Sequence, residues 1–84
     1  MLLESGQVVR STAGHDQGQL FVAVSVQGAF VWLVNGKTRP LEKPKRKSVK
    51  HIRKTNLVLE GSSIATNRKL RQALAAVEGG NQLV

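Results

Sequence analysis

Short runs of β-branched and aliphatic residues, separated by Gly and Asn, set the pattern of this chain. Such spacing is the signature of strands joined by tight turns. "QVVRS" (7–11) leads into the polar loop "TAGHDQGQ" (12–19), and "LFVAVSV" (20–26) follows. In that second run Leu20, Val22, Val24 and Val26 share a parity and are expected to face the core. Gln27-Gly28 turns the chain into "AFVWLV" (29–34), apolar on both faces, so periodicity does not say which side is buried. Asn35-Gly36 then suits a two-residue type I′ hairpin, with "KTRPL" (37–41) as the returning strand. Pro40 donates no N–H, so that strand should be short or at an edge.

Pro44 keeps "EKPKRK" out of a helix interior, and "SVKHI" and "LVLE" (57–60) are candidates for the closing strands. The count comes to about five short strands. A small closed or nearly closed barrel removes the edges such a set would otherwise expose. The pattern changes at Gly61. "GSSIAT" reads as a linker, and "NRKLRQALAAVEGG" as a helix capped by Thr66 or Asn67 and ended by Gly79. Leu70, Ala73, Leu74 and Val77 make a narrow apolar stripe that can dock on a barrel flank. The expected fold is mainly β, with a barrel unit at 1–60 and a linker and C-terminal α-helix at 61–84.

At 84 residues the chain has room for one small domain, which buries only about 60% of its unfolded surface. It has no Cys, so disulfides and thiolate zinc sites are excluded. His15 and His51 are the only imidazoles, and no acid cluster accompanies them, so no metal or other cofactor is expected. The start "MLLESGQVV" lacks a basic n-region, and "LFVAVSVQGAFVWLV" is too short for a membrane helix. These features read as a soluble cytoplasmic protein without a membrane partner.

Charge changes the picture most. Between Lys37 and Lys54 nine Lys or Arg face one acid, Glu42, for a net of +8. The other 66 residues carry four basic and four acidic groups, so this one segment supplies the whole net charge. So dense a run would repel itself if merely solvated, which favours an anionic partner. A disordered basic tail does not fit, because 40% of residues are apolar and cluster in runs. A nuclear-import signal or an anionic lipid also suits the tract alone, but it is embedded between strands.

"GQVVRSTAGHDQGQLFVAVSV" resembles a KOW motif, in Gly6, Val8, Val9, Gly14, Gly18, Val22 and Val24. With "VNGKTRPLEKPKRKSVKHI" and "TNRKLRQAL", most of the chain resembles small bacterial KOW-domain RNA-binding proteins. These are relatives of KOW-containing large-subunit ribosomal proteins of archaea and eukaryotes. The resemblance implies an SH3-like barrel, binding of RNA, a role with ribosomes or translation, and no catalysis. The pattern has a basic residue where His15 stands, often another at Gln17, and more usually Asp at Asn35.

The expected RNA contacts are Lys37, Arg39, Lys43, Lys45, Arg46, Lys47, Lys50, Arg53 and Lys54, each able to neutralise a phosphate. Arg10, Gly14 and His15 form a second edge, where backbone N–H groups make either a phosphate nest or only a structural turn. His51 either stacks on a base or fills a surface strand position. Phe21, Phe30 and Trp32 are expected in the core, although Phe30 and Trp32 share a parity and an outward position would be informative. His15-Asp16 beside Ser11 lacks a second carboxylate or an oxyanion donor, so no enzyme and no small-molecule substrate are expected. The rival reading is an SH3-like module, monomeric like the first, that docks ribosomal or transcription proteins. The absence of Tyr counts against its recognising Pro-rich ligands.

Overall fold

The structure, a computed structural model, describes residues 3–79. Met1, Leu2 and residues 80–84 of the expected C-terminal unit lie outside the described residues. Five strands form one antiparallel sheet: β1 (Gln7–Ser11), β2 (Leu20–Gln27), β3 (Phe30–Val34), β4 (Lys45–Ser48) and β5 (Ile52–Val58). A helix, α1 (Asn67–Glu78), follows. No helix among the described residues is long and apolar enough to cross a membrane.

The strand order is β4-β3-β2-β1-β5, so β4 and β5 lie at opposite edges, yet only the 3-10 turn Val49–His51 joins them. A flat sheet of five strands would hold its edges about 19 Å apart, four spacings of about 4.8 Å. The step from Ser48 to Ile52 spans at most about 14 Å. The sheet therefore curls until its edges approach at that end. It does not close, since no ladder joins β4 to β5. Of the expected closed or nearly closed barrel, the structure shows a curled, unclosed five-stranded sheet with a C-terminal helix.

Curling gives the sheet an inside and an outside. Val9, Phe21, Ala23, Val31, Leu33 and Ile52 pack on the inside. On the outside Val8, Leu20, Val22 and Val34 lie beneath Leu70, Leu74 and Val77 of α1. β1 and the start of β2 are accordingly buried on both faces. This corrects the reading of β2 as a strand with one core face. Leu20 and Val22 do face a core, with Val24 partly buried against it, but Phe21 and Ala23 face a second one. The register slips between Ala23 and Ser25, and Val26 emerges 40% exposed. Alternation cannot reveal a second dry face that only a distant helix creates.

The segment after β3 also differs from expectation. "KTRPL" forms no strand, and Asn35 does not take the positive φ of a type I′ turn. Instead Asn35 Oδ1 accepts hydrogen bonds from the N–H groups of Lys37 and Arg39, both at 2.9 Å. Those donors are thereby withdrawn from any ladder. β3 pairs with β4 instead, so the densest basic residues themselves form a strand. "SVKHI" is mostly the 3-10 turn, and the last strand begins at Ile52, ahead of "LVLE".

The helix matches expectation. Thr66 caps it, its Oγ1 accepting from Lys69 N–H at 3.1 Å, and Leu70, Leu74 and Val77 are buried. Its first turn grips the 35–43 loop. Asn67 Oδ1 accepts from Leu41 N–H at 2.8 Å, and Arg71 Nη1 donates to Gly36 O at 2.8 Å. Gly36 has φ +76°, and a Cβ there would fall 2.5 Å from Asn67 O. Gly36→Ala should therefore cost about 3 kcal/mol, combining left-handed strain with overpacking. Gly28→Ala, with φ +58° but nothing within 4 Å, should lose only the strain of about 1 kcal/mol. Urea midpoints of the two variants check the difference.

Candidate nucleic-acid interface

Strand alternation divides the basic residues of β4 between the two faces of the sheet. Lys45 and Lys47 lie opposite Leu33 and Val31, whose side chains point inside, while Arg46 and Ser48 lie opposite Trp32 and Phe30. An ammonium directed inwards loses water and needs a partner. Asp16 of the 12–19 loop supplies it. Lys45 Nζ donates to Asp16 Oδ2 at 2.8 Å, and Lys47 Nζ donates to Oδ1 at 2.9 Å and to Ala13 O at 2.8 Å. The Ser11 hydroxyl adds a bond to Oδ1 at 2.7 Å.

Asp16 is 8% exposed and Lys47 9%. Burial alone would push the Asp16 carboxyl up. Hydrogen bonds from Lys45, Ser11 and Lys47, with the Lys47 charge, more than reverse this and hold it well below its ordinary range. Lys45 and Lys47, both expected on RNA, are thus committed to an internal ion cluster. Lys47 is almost wholly withdrawn from solvent.

The 12–19 loop closes over this cluster. Gln17 N–H donates to Gly14 O at 3.2 Å, Gly18 N–H to Ser11 O at 2.8 Å and Gln19 N–H to Asp16 O at 3.0 Å. These three amides serve the structural closure of the loop. Gly14 sits where a Cβ would come 3.5 Å from Lys47 Nζ. His15 is exposed, and Asp16 pairs with the two lysines.

Seven of the nine cations of the 37–54 tract are exposed: Lys37, Arg39, Lys43, Arg46, Lys50, Arg53 and Lys54. The first three ride on the loop held by Asn67, whose Nδ2 also donates to Glu42 Oε1 at 2.7 Å. That bond ties the single acid of the tract to the helix. Lys50 and His51 are exposed on the 3-10 turn. Arg53 stands directly opposite Arg10 on β1, a like-charge pair that is unfavourable alone. Arg10 is steadied by Gly18 O at 2.6 Å and by Glu78 at 3.3 Å.

Two features escaped the sequence reading. Asp16 gave no sign of its role, because its lysines lie 29 and 31 residues away. Of the three aromatics only Phe21 is in the core. Phe30 is 40% exposed, Trp32 is half-buried, and the Arg46 guanidinium lies 4.6 Å from the Phe30 ring centroid. The shared parity of Phe30 and Trp32 was the available signal. No protein-family model matches the chain, and no curated protein matches it.

The ion cluster has a measurable consequence. Asp16→Asn strands the Lys47 charge in a dry site and should cost about 3 kcal/mol at neutral pH. Because the folded carboxyl titrates below the ordinary 3.8, its contribution is complete above the unfolded value and is lost as pH falls past it. Denaturation of the wild type should show no Asp16-linked change from about pH 8 to about pH 5, then a decline that the variant lacks. Pairing Asp16→Asn with Lys47→Met should recover part of the loss.

Proposed function

We propose that this protein binds RNA through an SH3-like, KOW-type barrel, contacting the phosphate backbone of folded ribosomal RNA in a ribosome- or translation-associated role. The observation that carries the reading is the separation of charge. The segment holding the whole net charge of +8 keeps seven of its nine cations exposed, while its one acid is bonded to Asn67. Each exposed cation that meets a phosphate releases condensed counterions, which supplies affinity without reading sequence. The curl that brings β4 and β5 together at Val49–His51 supports the barrel reading, as does the KOW-like pattern of "GQVVRSTAGHDQGQLFVAVSV". The loop of Lys37, Arg39 and Lys43 is clamped by α1, so those charges are presented on an ordered support. That lowers the entropy lost on binding.

If about five phosphates of single-stranded RNA are engaged, log K should fall against log salt with a slope near −3.5. A salt-independent interaction with ribosomal proteins would favour the docking module instead. Lys43, Lys50 and Arg53 changed together to Gln should flatten the slope by about 2 units. The same change at Arg68 and Lys69 of α1 should leave it unaltered. Fluorescence anisotropy across a salt series measures both, and co-sedimentation with ribosomal subunits tests the ribosomal assignment.

A further inference from the structure

Among the described residues, the outer face of the sheet is only partly covered. α1 lies over Val8, Leu20, Val22 and Val34, but the same face continues along β3 through Trp32 to Phe30. Register places Arg46 beside Trp32, and Ser48 and Gln27 beside Phe30. Two of the three aromatic residues of a very small domain are thus kept out of the inner core. Full burial of a Phe side chain stabilises by roughly 2 kcal/mol, a gain that Phe30 at 40% exposure forgoes in part. Arg46 is the one cation of β4 directed outwards, and it lies over the Phe30 ring.

We propose that Phe30, Trp32 and Arg46 form a stacking platform for unpaired bases, so that the preferred ligand is single-stranded, looped or bulged RNA. This rests on the RNA-binding reading and specifies its ligand. A nucleobase offers a flat π-face to the aromatic rings and to a guanidinium plane. Its phosphates are complemented by the cationic tract to which Arg46 belongs. A proline-rich peptide would use the rings but gain nothing from the charge. A uniform duplex would use the charge but hide its bases from the rings.

Trp32 is the only Trp in the chain, so its emission reports this surface directly. The full chain is titrated with oligouridine, with an abasic strand of equal phosphate count and with a duplex of equal length. Trp32 emission and strand anisotropy are read together. Oligouridine should quench Trp32, whereas the abasic strand and the duplex should bind without quenching. Phe30→Leu should weaken oligouridine binding on the order of ten-fold and leave duplex affinity unchanged. Arg46→Lys, which keeps the charge but not the plane, should weaken oligouridine binding without changing the salt slope.

Equal affinity for abasic and base-bearing strands, or an unaffected Phe30→Leu, overturns the platform while RNA binding stands. Failure of every strand and duplex to bind removes the RNA reading and the platform with it. Trp32 emission that responds to a proline-rich peptide but not to oligouridine assigns the surface to a protein partner and overturns the proposal. Should Phe30→Leu fail to fold, the wild-type contrast between base-bearing and abasic strands still decides.

Discussion

Three residues, Val49–His51, join strands that lie at opposite edges of the sheet, and that short link forces the curl. Everything else in the fold follows from it. The curl encloses Phe21, Leu33 and their neighbours, with Leu3 and Val49 packed against them. It also leaves a convex outer face whose apolar centre must be covered separately, and α1 covers it with Leu70, Leu74 and Val77. A chain this short thereby obtains two small cores that share β1 and β2. Burial on both faces of those strands offsets the limited apolar area that each core alone provides.

The same geometry turns a basic strand into a structural problem. β4 is an edge strand rich in Lys and Arg, a common means of blunting an edge against pairing with other chains. Its inward positions nevertheless bring two ammonium groups towards the interior. Asp16 resolves this by accepting from both, and in doing so fixes the 12–19 loop against β4. The positive tract is therefore not uniform. Part of it holds the fold together, and part is presented to solvent on a loop, a turn and two strands.

That division bears on how the exposed charges act. Lys37, Arg39 and Lys43 sit on a loop tied to the helix by Asn67 and Arg71, and Arg53 sits on a strand of the sheet. Cations on such supports are held in place, as the proposed contact with phosphates of folded RNA would use. Arg46 stands apart from them, over an aromatic ring on the face that α1 leaves open.

Local physics made the first two strands, the third strand and the helix legible in the chain. Runs of β-branched and aliphatic residues bounded by Gly and Asn mark 7–11, 20–26 and 29–34, and Thr66 with the Leu70, Leu74 and Val77 stripe marks α1. The segregation of charge between residues 37 and 54 was equally plain, because it is a property of composition. Tertiary structure alone decided how that segment is used. "KTRPL" had strand-like residues, but Asn35 captures its amides, and "KRKS" takes the place beside β3. Which lysines turn inwards depends on that register, and their neutralisation depends on an Asp brought from another loop. Phe30 and Trp32 lie on the outward face with Val34 but outside the cluster that α1 covers. Apart from the local Asn35 turn, each of these outcomes joins residues distant in sequence, and no pattern of neighbours along the chain encodes such a pairing.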